Sequence, residues 1–478
     1  MKLATHNFID GKWIASGNAA PNINPSNTDD IIGEFPLADV ADTEAAIDAA
    51  KRAQIKWRDV NLQVRADLLE TVGTSLIARK DEIGRLLARE EGKTLMEGIG
   101  ETVRAGQVFK FFAQEALRIA GDAIGSVRSD IDIEVTREPV GVIGIITPWN
   151  FPIAIPSWKV APALAYGNSV VLKPAQITPG CAHILAEIID EAGAPPGLFN
   201  LVVGRGSQVG QTLVDHSCVD AISFTGSVPV GRDLAHSAAK GLKKIQMEMG
   251  GKNPMVIMGD ADLNIAVNAC LNGAFFSTGQ RCTASSRLIV DASIHDQFVD
   301  QLTHEMKSLK VGDALDPSTQ IGPVASSSQL NNNLDYVKMA TREGAEVIGG
   351  EQLTLDKKGY YQAPALFIGA NNDMHIARQE IFGPCAAVIR VTGFDEALTI
   401  ANDTEFGLSA GICTTSLKYA REFKRHSEAG MVMVNLPTAG IDYHVPFGGT
   451  KGSSYGAREQ GRHAVEFYTT TKTAYTFA

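Results

Sequence analysis

Apolar residues in the early part of the chain recur at the three- and four-residue spacing of amphipathic helices. The spacing runs through residues 42–60, 63–93 and 96–119. Side chains three and four positions apart share one face of a helix, so each stretch predicts a helix with one buried side. We find no candidate chemistry in these stretches and expect helices that serve packing.

Three stretches outside these helices have the pattern of strands. Residues 8–13 predict a small hairpin, because Asp10-Gly11 supplies the positive φ angles of a type I′ turn. Polar and apolar residues alternate over 130–137, as in a strand with one face in solvent. The tail, residues 467–477, is rich in Thr, Tyr and Phe and predicts a last strand.

After Pro139, short apolar runs alternate with helical spacing. The runs cover residues 140–146, 169–172, 199–203 and 221–224. Such alternation is typical of a parallel sheet covered on both faces, so the predicted fold class is α/β. Ligands of such sheets bind beyond the carboxyl ends of the strands. A second set of strands and helices is expected over residues 254–436.

Length and charge narrow the class of protein. A chain of 478 residues with 44% hydrophobic content is long enough for two or three domains. The net charge of -11 argues against a nucleic-acid partner, which requires a basic surface. No apolar run approaches the roughly 18 residues of a membrane span, and residues 1–6 lack the apolar core of a signal peptide. We therefore expect a cytoplasmic protein without a membrane partner.

The cysteine and histidine patterns bear on redox state and on metals. The 6 cysteines form no CxxC pair and no short disulfide framework, which favours reduced thiols. The 10 histidines include no HExxH motif and no cluster with ligand spacing. The sequence therefore predicts no metal site.

One cysteine, Cys282, stands among small and polar residues at the end of a helix-like run, within residues 275–283. A thiol is a useful nucleophile because part of it is thiolate near neutral pH, and a neighbouring cation raises that part. Arg281 supplies such a cation if its side chain points toward the sulfur. The alternative is a buried structural cysteine.

Two turns that contain glycine are candidate phosphate-binding sites. Residues 224–231 end a strand, place Gly226 where the backbone can approach a ligand, and begin a helix with free N–H groups. The alternative is a tight turn capped by Ser227. Residues 204–210 resemble a dinucleotide fingerprint with one residue too many before the last glycine, so a plain turn between strand and helix is an equal alternative.

Four motifs connect these features. They are Thr147-Pro148-Trp149-Asn150-Phe151-Pro152, Met247-Glu248-Met249-Gly250-Gly251, Gly279-Gln280-Arg281-Cys282 and Glu380-Ile381-Phe382-Gly383-Pro384. In order and spacing they resemble the signature of the aldehyde dehydrogenase superfamily, and the resemblance covers essentially the whole chain.

The resemblance implies a Rossmann-like cofactor domain, an α/β catalytic domain and a small β arm for oligomerisation. The expected boundaries are 1–120 with 141–250 and a returning segment at 441–461 for the first, 251–440 for the second, and 121–140 with 462–478 for the third. In the family such an arm joins subunits, so we expect a homodimer or homotetramer.

The same resemblance assigns three catalytic residues. Cys282 attacks the carbon of a small aldehyde, and Asn150 with the backbone N–H of Cys282 stabilises the oxyanion. Glu248 activates the water that hydrolyses the resulting thioester. Its neighbours, two methionines and two glycines, suggest partial desolvation, which would raise its pKa. From the residues alone, Glu248 is equally a helix-end carboxylate and Asn150 a capping or turn residue.

A nicotinamide dinucleotide is the cofactor that the resemblance implies, with the GSxxxG turn at 226–231 on the pyrophosphate. The predicted cofactor-binding residues are Thr147, Pro148, Trp149, Lys173, Ala175, Gln176, Gly206, Gly210, Phe224, Thr225, Gly226, Ser227, Met249, Gly250, Glu380 and Phe382. The family commonly has a glutamate at position 176, which would repel the 2′-phosphate of NADP⁺. Gln176 removes that repulsion and Lys173 adds a positive charge, so we expect NADP⁺ and NAD⁺ both to work.

The predicted substrate residues are Trp158, Arg281, Thr283, Tyr443 and Phe447. Arginine binds a planar carboxylate through two hydrogen bonds, so Arg281 favours an acidic aldehyde. Residues 109–118 resemble bacterial 2-oxoglutarate semialdehyde (2,5-dioxovalerate) dehydrogenases. Succinate semialdehyde dehydrogenases often have an arginine where this chain has Trp158. A succinate semialdehyde or broad-specificity enzyme is the alternative.

Three other classes of protein differ at the same catalytic positions. A non-catalytic structural or binding relative would be expected to lack Cys282 or Glu248, and both are present. A phosphorylating or CoA-acylating relative passes the acyl group to phosphate or CoA and does not need Glu248. Formation of free acid without CoA or phosphate separates these classes.

Overall fold

Two large sheets carry most of the apolar strands in the computed structural model, which describes residues 3–4, 6–15 and 17–477. The strands are β1 (Leu3–Ala4), β2 (Asn7–Ile9), β3 (Lys12–Ile14), β4 (Ala19–Ile23), β5 (Ile31–Pro36), β6 (Asp122–Gly125), β7 (Ile131–Pro139), β8 (Val142–Ile146), β9 (Ser169–Lys173), β10 (Phe199–Leu201), β11 (Ala221–Thr225), β12 (Lys244–Glu248), β13 (Asn253–Ile257), β14 (Ser285–Asp291), β15 (Glu346–Gly349), β16 (Ala365–Ala370), β17 (Cys385–Val391), β18 (Phe406–Gly407), β19 (Ser409–Cys413), β20 (Met431–Val434), β21 (Thr450–Lys451), β22 (Ser454–Gly456) and β23 (Thr469–Phe477).

Helices separate most of these strands. They are α1 (Val40–Trp57), α2 (Leu62–Ala78), α3 (Lys80–Glu91), α4 (Leu95–Ala116), α5 (Ala154–Ala165), α6 (Pro179–Glu191), α7 (Gln211–Asp215), α8 (Val228–Lys240), α9 (Leu263–Phe275), α10 (His295–Ser308), α11 (Ser327–Arg342), α12 (His375–Arg378), α13 (Phe394–Asn402), α14 (Leu417–His426) and α15 (Val465–Tyr468).

The first large sheet has the strand order β22-β12-β11-β8-β9-β10-β2-β3, and the run from β12 to β10 is parallel. Successive side chains of a strand point to opposite faces. Ile143 and Ile145 pack into one hydrophobic core, whereas Val142 and Ile146 pack into another. Helices cover both faces, which confirms the predicted α/β fold.

The second large sheet has the order β15-β16-β17-β14-β13-β19-β20 and is parallel except for β15. Its strands also divide their side chains between two cores: Met255 and Ile257 pack on one side, Val256 on the other. The strands and helices expected over 254–436 therefore form a sheet of their own.

The third sheet is a three-stranded antiparallel layer in the order β23-β7-β6. Strands β7 and β23 pair from Pro139 with Thr469 to Ile131 with Phe477. Residues of β7 alternate between half-buried and exposed, which confirms the strand predicted over 130–137. The last strand predicted for the tail is β23.

The hairpin predicted near the start of the chain is confirmed. Strands β2 and β3 pair antiparallel, and Asp10 and Gly11 between them have φ angles of 53° and 72°. An Asp-Gly pair adopts positive φ at low cost, which is the requirement of this turn.

The single helical stretch expected over 63–93 is wrong, because the chain forms α2 and α3 there. Between them Arg79 has φ −95° and ψ 14°, and its guanidinium pairs with Glu82 in the first turn of α3 at 2.9 Å. The apolar repeat continues across this break because both helices bury side chains in the same core. Periodicity alone therefore predicts one helix.

Register in the two large sheets determines which loops meet. Parallel strands β8, β11 and β12 end at one edge of the first sheet, and the loops that follow them begin with Thr147, Gly226 and Met249. Parallel strands β14 and β17 of the second sheet begin directly after residues 282–284 and 380–384. Loops at the carboxyl ends of the first sheet and at the amino ends of the second line one common cavity.

Candidate active site

The turn before Cys282 has an unusual backbone. After α9 ends at Phe275, Ser277 and Thr278 have φ angles of 53° and 55°, a left-handed conformation that costs free energy for residues with a side chain. Gly279 follows at φ 64°, and a Cβ there would lie 2.0 Å from the Gly383 carbonyl oxygen. The turn therefore needs glycine at 279 and external hydrogen bonds to hold its shape.

Those hydrogen bonds come from distant parts of the chain. Glu97 Oε1 accepts from the backbone N–H of Ser277 at 2.9 Å and from its hydroxyl at 2.8 Å. The Thr278 hydroxyl donates to the Gly322 carbonyl at 3.0 Å. Asn253 Nδ2 donates to the Cys282 carbonyl at 2.8 Å. Cys282 is thus held by its backbone, which leaves its side chain free for chemistry.

Asn150 lies on the loop after β8 and is buried. Its Nδ2 donates to the Gln280 backbone carbonyl at 2.9 Å, and the backbone carbonyl of Asn150 accepts from the buried Lys93 ammonium. A carboxamide nitrogen carries two N–H groups. One of them therefore joins Asn150 to the cysteine loop, and the second is available for a ligand.

Cys282 is half-buried and carries a thiol that is a weak acid. Burial, followed by the carboxyl groups of Glu380 and Glu248, raises the pKa of Cys282 to about 12. The expectation that Arg281 increases the thiolate fraction is wrong. The Arg281 guanidinium points to Glu97, with Nη2 at 3.3 Å from Oε1, so that carboxylate compensates its charge.

Glu248 ends β12 and is buried. Its Oε2 accepts from the Ser454 hydroxyl at 2.5 Å. Burial, and then the charge of Glu459, raises the pKa of Glu248 well above its ordinary value. Glu459 itself forms a buried ion pair with Lys159 and accepts from Trp158 Nε1 at 2.7 Å. Glu248 therefore keeps its proton to a higher pH than an exposed glutamate does.

A cavity of about 270 Å³ lies between the two large sheets and includes Cys282 in its wall. Nine predicted cofactor residues line it: Pro148, Trp149, Thr225, Gly226, Ser227, Met249, Gly250, Glu380 and Phe382. The rings of Trp149 and Phe382 meet edge to face at 5.3 Å. These nine residues come from separate parts of the sequence and lie around one cavity.

Gly250 and Gly226 let the backbone of the cavity wall approach neighbouring side chains closely. A Cβ on Gly250 would lie 2.2 Å from a Glu380 carboxylate oxygen, and one on Gly226 would lie 2.6 Å from the Phe224 ring. Glu380 Oε1 accepts from the Gly251 N–H at 2.9 Å, and burial raises the pKa of Glu380 to about 7. Helix α8 begins just after Ser227, so its free N–H groups are placed for an anionic ligand. The residues present fit a dinucleotide.

The other predicted cofactor residues continue along the same sheet edge. Thr147 donates its N–H to the Lys173 carbonyl at 3.1 Å, and Ala175 and Gln176 follow Lys173 in a half-buried loop. Burial lowers the pKa of Lys173 to about 8, and its ammonium donates to the Pro174 carbonyl at 2.9 Å.

The stretch from Gly206 to Gly210 forms a π-helical turn beyond β10. Neighbouring protein atoms leave room for a side chain at both of its glycines. A Cβ on Gly206 would have no atom within 4 Å, and one on Gly210 would make ordinary contacts with Ile146 and Lys173. These contacts place the turn beside Lys173 on the same edge of the sheet.

A larger cavity of about 570 Å³ lies on the other side of the nucleophile, and Cys282 lines this cavity as well. Four predicted substrate residues line it: Trp158, Arg281, Thr283 and Phe447. The rings of Trp158 and Phe447 lie 5.5 Å apart. Tyr443 is not part of this wall and packs edge to face against Phe111 at 6.3 Å.

Sequence reasoning missed one wall of the larger cavity. Helix α4 contributes Glu97, Gly100, Glu101 and Arg104 to it, so the expectation of a purely packing helix is wrong for its first turns. The signal was present: polar residues at 97, 101 and 104 are four and three apart and share one helix face. Apolar periodicity does not separate a face toward a cavity from a face toward bulk solvent.

Within residues 3–4, 6–15 and 17–477, no group of three or more His, Cys, Asp or Glu side chains could hold a metal ion. No helix in that part of the chain is both long and apolar enough to cross a membrane.

Comparisons with known proteins agree on one family. A family model described as "Aldehyde dehydrogenase family" matches residues 13–474. The "Alpha-ketoglutaric semialdehyde dehydrogenase" of Bacillus subtilis (strain 168) is 44% identical, over 98% of this chain and 97% of that protein. A betaine aldehyde dehydrogenase of Staphylococcus aureus, solved in complex with NAD⁺, superposes with a TM-score of 0.96 at 35% identity, covering 99% of this chain and 95% of that one. An E. coli structure described as an "NADP dependent enzyme" superposes with a TM-score of 0.96 at 35% identity, covering 99% of this chain and 98% of that one.

Proposed function

Because the chain belongs to the aldehyde dehydrogenase family, we propose that it oxidises 2-oxoglutarate semialdehyde to 2-oxoglutarate, with NADP⁺ or NAD⁺ as electron acceptor. The choice of substrate rests on the larger cavity, which is lined by two arginines, Arg104 and Arg281, together with Cys282. A carboxylate-bearing aldehyde places its charge near such cations. The printed name of the Bacillus subtilis relative agrees with this substrate.

The first half of the reaction joins Cys282 to the aldehyde carbon. The thiol proton has to pass to solvent before or during attack, since the pKa of Cys282 is about 12. The aldehyde oxygen then becomes an oxyanion, which two donors stabilise: the second N–H of Asn150 and the backbone N–H of Cys282. Both donors belong to loops that hydrogen bonds already hold in place.

The smaller cavity is assigned to the nicotinamide end of the cofactor, which Trp149, Glu380 and Phe382 would hold, with Ser227 toward the pyrophosphate. A nicotinamide bound there would supply the acceptor for two electrons and the hydrogen of the aldehyde carbon. Cys282 lines both cavities. A substrate carbon bonded to its sulfur would therefore lie between the larger cavity and the smaller one. A thioester on Cys282 remains.

The second half of the reaction frees the acid. Glu248 takes a proton from water, the hydroxide attacks the thioester, and the carbon–sulfur bond breaks to release the carboxylic acid and Cys282. A phosphate- or CoA-dependent enzyme would not need a buried carboxyl group here. The position of Glu248 beside the nucleophile favours water as the acceptor of the acyl group, because the charge of Glu248 acts on Cys282.

Cofactor choice is proposed to favour NADP⁺ at least as much as NAD⁺. Lys173 lies at the carboxyl end of β9, and among residues 3–4, 6–15 and 17–477 no carboxylate forms an ion pair with its ammonium, which donates to the Pro174 carbonyl. Gln176 likewise brings no negative charge. A 2′-phosphate would therefore meet a cation and no repelling group.

A panel of aldehydes tests the proposed function. The full chain is assayed without CoA and phosphate against 2-oxoglutarate semialdehyde, succinate semialdehyde and pentanal, an uncharged aldehyde of five carbons. We expect free acid from all three and the highest kcat/KM for 2-oxoglutarate semialdehyde. A higher kcat/KM for pentanal would contradict the acidic substrate, and a requirement for CoA or phosphate would contradict hydrolysis.

A further inference from the structure

The two arginines of the larger cavity differ in what their guanidinium groups contact. Arg281 forms an ion pair with Glu97 at 3.3 Å and donates to the Asn272 side chain at 3.4 Å. Glu97 also accepts two hydrogen bonds from Ser277. The charge of Arg281 is therefore balanced, and its position stabilises the loop that carries the nucleophile.

Arg104 makes its hydrogen bond and its ring contact with neutral groups. Its Nη2 donates to Gln460 Oε1 at 3.1 Å, and its guanidinium carbon lies 5.7 Å from the centre of the Trp158 ring. Its Nε is buried and has no acceptor among residues 3–4, 6–15 and 17–477. No carboxylate in that part of the chain forms an ion pair with it.

The nearest acidic side chain on the same helix is already occupied. Glu101 pairs with the buried Lys93 at 2.9 Å. Its other oxygen accepts from the backbone N–H groups of Ile153 and Ala154, each at 3.1 Å. Glu101 therefore makes its hydrogen bonds with other groups, and it acts on Arg104, as Asp442 does, only through its charge at longer range.

A half-buried guanidinium without an ion-pair partner is costly, because the protein interior solvates charge less well than water. The wall of the same cavity also includes the aromatic side chains of Phe151, Trp158 and Phe447. A ligand carboxylate would restore the missing balance and can accept two parallel hydrogen bonds from one guanidinium. Arg104 and Cys282 line the same cavity, so one small molecule can reach both.

We propose that Arg104, rather than Arg281, binds the terminal carboxylate of the substrate and so selects acidic aldehydes. The assignment rests on the proposed function and names the residue responsible for its specificity. Arg281 lines the same cavity and acts as a positioning residue, through Glu97.

The test compares two substrates of equal chain length in three proteins. The kcat/KM values of 2-oxoglutarate semialdehyde and pentanal are measured for the wild-type chain, Arg104→Gln and the matched control Arg281→Gln. Arg104→Gln should lower the ratio of the two values by roughly 10- to 100-fold, the range expected for a charge-assisted hydrogen bond. Arg281→Gln should lower both values together and leave the ratio within about threefold, because it loosens the loop.

A second measurement does not depend on turnover. The inhibition constant of 2-oxoglutarate, the product, should rise in Arg104→Gln by the same factor as the loss of selectivity, and should change little in Arg281→Gln. Product binding uses the carboxylate contact without the covalent step.

The outcomes separate the two proposals. If the wild-type chain prefers pentanal, the proposed function fails whatever Arg104 does. If it prefers the semialdehyde and Arg281→Gln alone loses the preference, the assignment to Arg104 is overturned and the function stands. Should Arg104→Gln not fold, Arg104→Lys decides, since lysine keeps the charge but loses the paired contact. A fall in selectivity of several-fold supports the assignment, and unchanged selectivity overturns it.

Discussion

Glu248, the proposed general base, is the residue whose protonation state is expected to limit the reaction. Burial and the charge of Glu459 raise the pKa of Glu248, so the neutral acid persists to higher pH than for an exposed glutamate. A general base must first lose its proton. Hydrolysis of the thioester should therefore accelerate as the pH rises through the raised pKa of Glu248, and slow as the pH falls below it.

Glu248→Gln should slow hydrolysis far more than acylation. A rapid-quench experiment is expected to give an undiminished burst of reduced cofactor, followed by a slow steady state that no longer accelerates with pH. Ser454→Ala is the matched control, because it removes the hydrogen bond to Glu248 at 2.5 Å but keeps the base. A lost burst in Glu248→Gln would instead assign Glu248 to removing the thiol proton.

Gln176 carries the prediction on cofactor choice. Gln176→Glu should lower kcat/KM for NADP⁺ by roughly tenfold or more, since about 1.4 kcal/mol of repulsion between carboxylate and phosphate corresponds to a factor of ten. NAD⁺ should be nearly unaffected. Gln176→Ala, which adds no charge, should leave the use of NADP⁺ within a few-fold of wild type. A wild-type chain that already prefers NAD⁺ strongly would show that Gln176 is not the selector.

At the scale of elements, the start of helix α4 is joined to the nucleophile loop by one side chain. Thr94 and Glu97 form a capping box, in which Glu97 Oε2 accepts from the Thr94 N–H at 3.1 Å. Glu97 Oε1 accepts from Ser277 and from Arg281. Glu97 therefore caps the start of helix α4, and it also holds Ser277 in its left-handed conformation.

Glu97→Ala should destabilise the chain by about 1–3 kcal/mol, because it leaves the Ser277 N–H without an acceptor and weakens the cap. It should also lower kcat for charged and neutral aldehydes alike, since Cys282 follows the same loop. Urea unfolding and steady-state kinetics measure the two effects. Met96→Ala, on the same turn but 73% exposed, should change neither. A destabilised Glu97→Ala protein with wild-type kcat would contradict the role in positioning Cys282.

At the scale of the whole molecule, the three-stranded sheet β23-β7-β6 exposes large apolar side chains. Tyr475 is 59% exposed and Phe477 is 78% exposed. Exposed apolar residues on an extended sheet favour contact with another protein surface. This agrees with the expected role of residues 121–140 and 462–478 as an oligomerisation arm, which stays a prediction together with the other domain boundaries.

Replacing both aromatic residues, as Tyr475→Ser with Phe477→Ser, should shift a homodimer or homotetramer toward smaller species. Light scattering after size-exclusion chromatography measures the mass. Leu417→Ser is the control, because Leu417 is 88% exposed on α14, outside this sheet. A mass that is the same for the double variant and the wild type would remove this surface from the interface.

The sequence by itself determined the elements and the type of chemistry. Helical and alternating patterns depend on local geometry, so they located α1, α4, β7 and the Asp10-Gly11 hairpin within a few residues. The four motifs indicated the family because each is a short contiguous run whose order survives in the sequence. The break at Arg79 was missed, since burial continues on both sides of it.

Only the tertiary structure decided how the charges of the site act. The direction of Arg281 depends on Glu97, and the high pKa of Cys282 depends on burial and on Glu380 and Glu248, all far away in the sequence. The role proposed for Arg104 depends on two features of the folded chain: Glu101 pairs with Lys93, and α4 borders the larger cavity. Electrostatic interactions vary with distance and burial in space, and a linear pattern of residues contains neither.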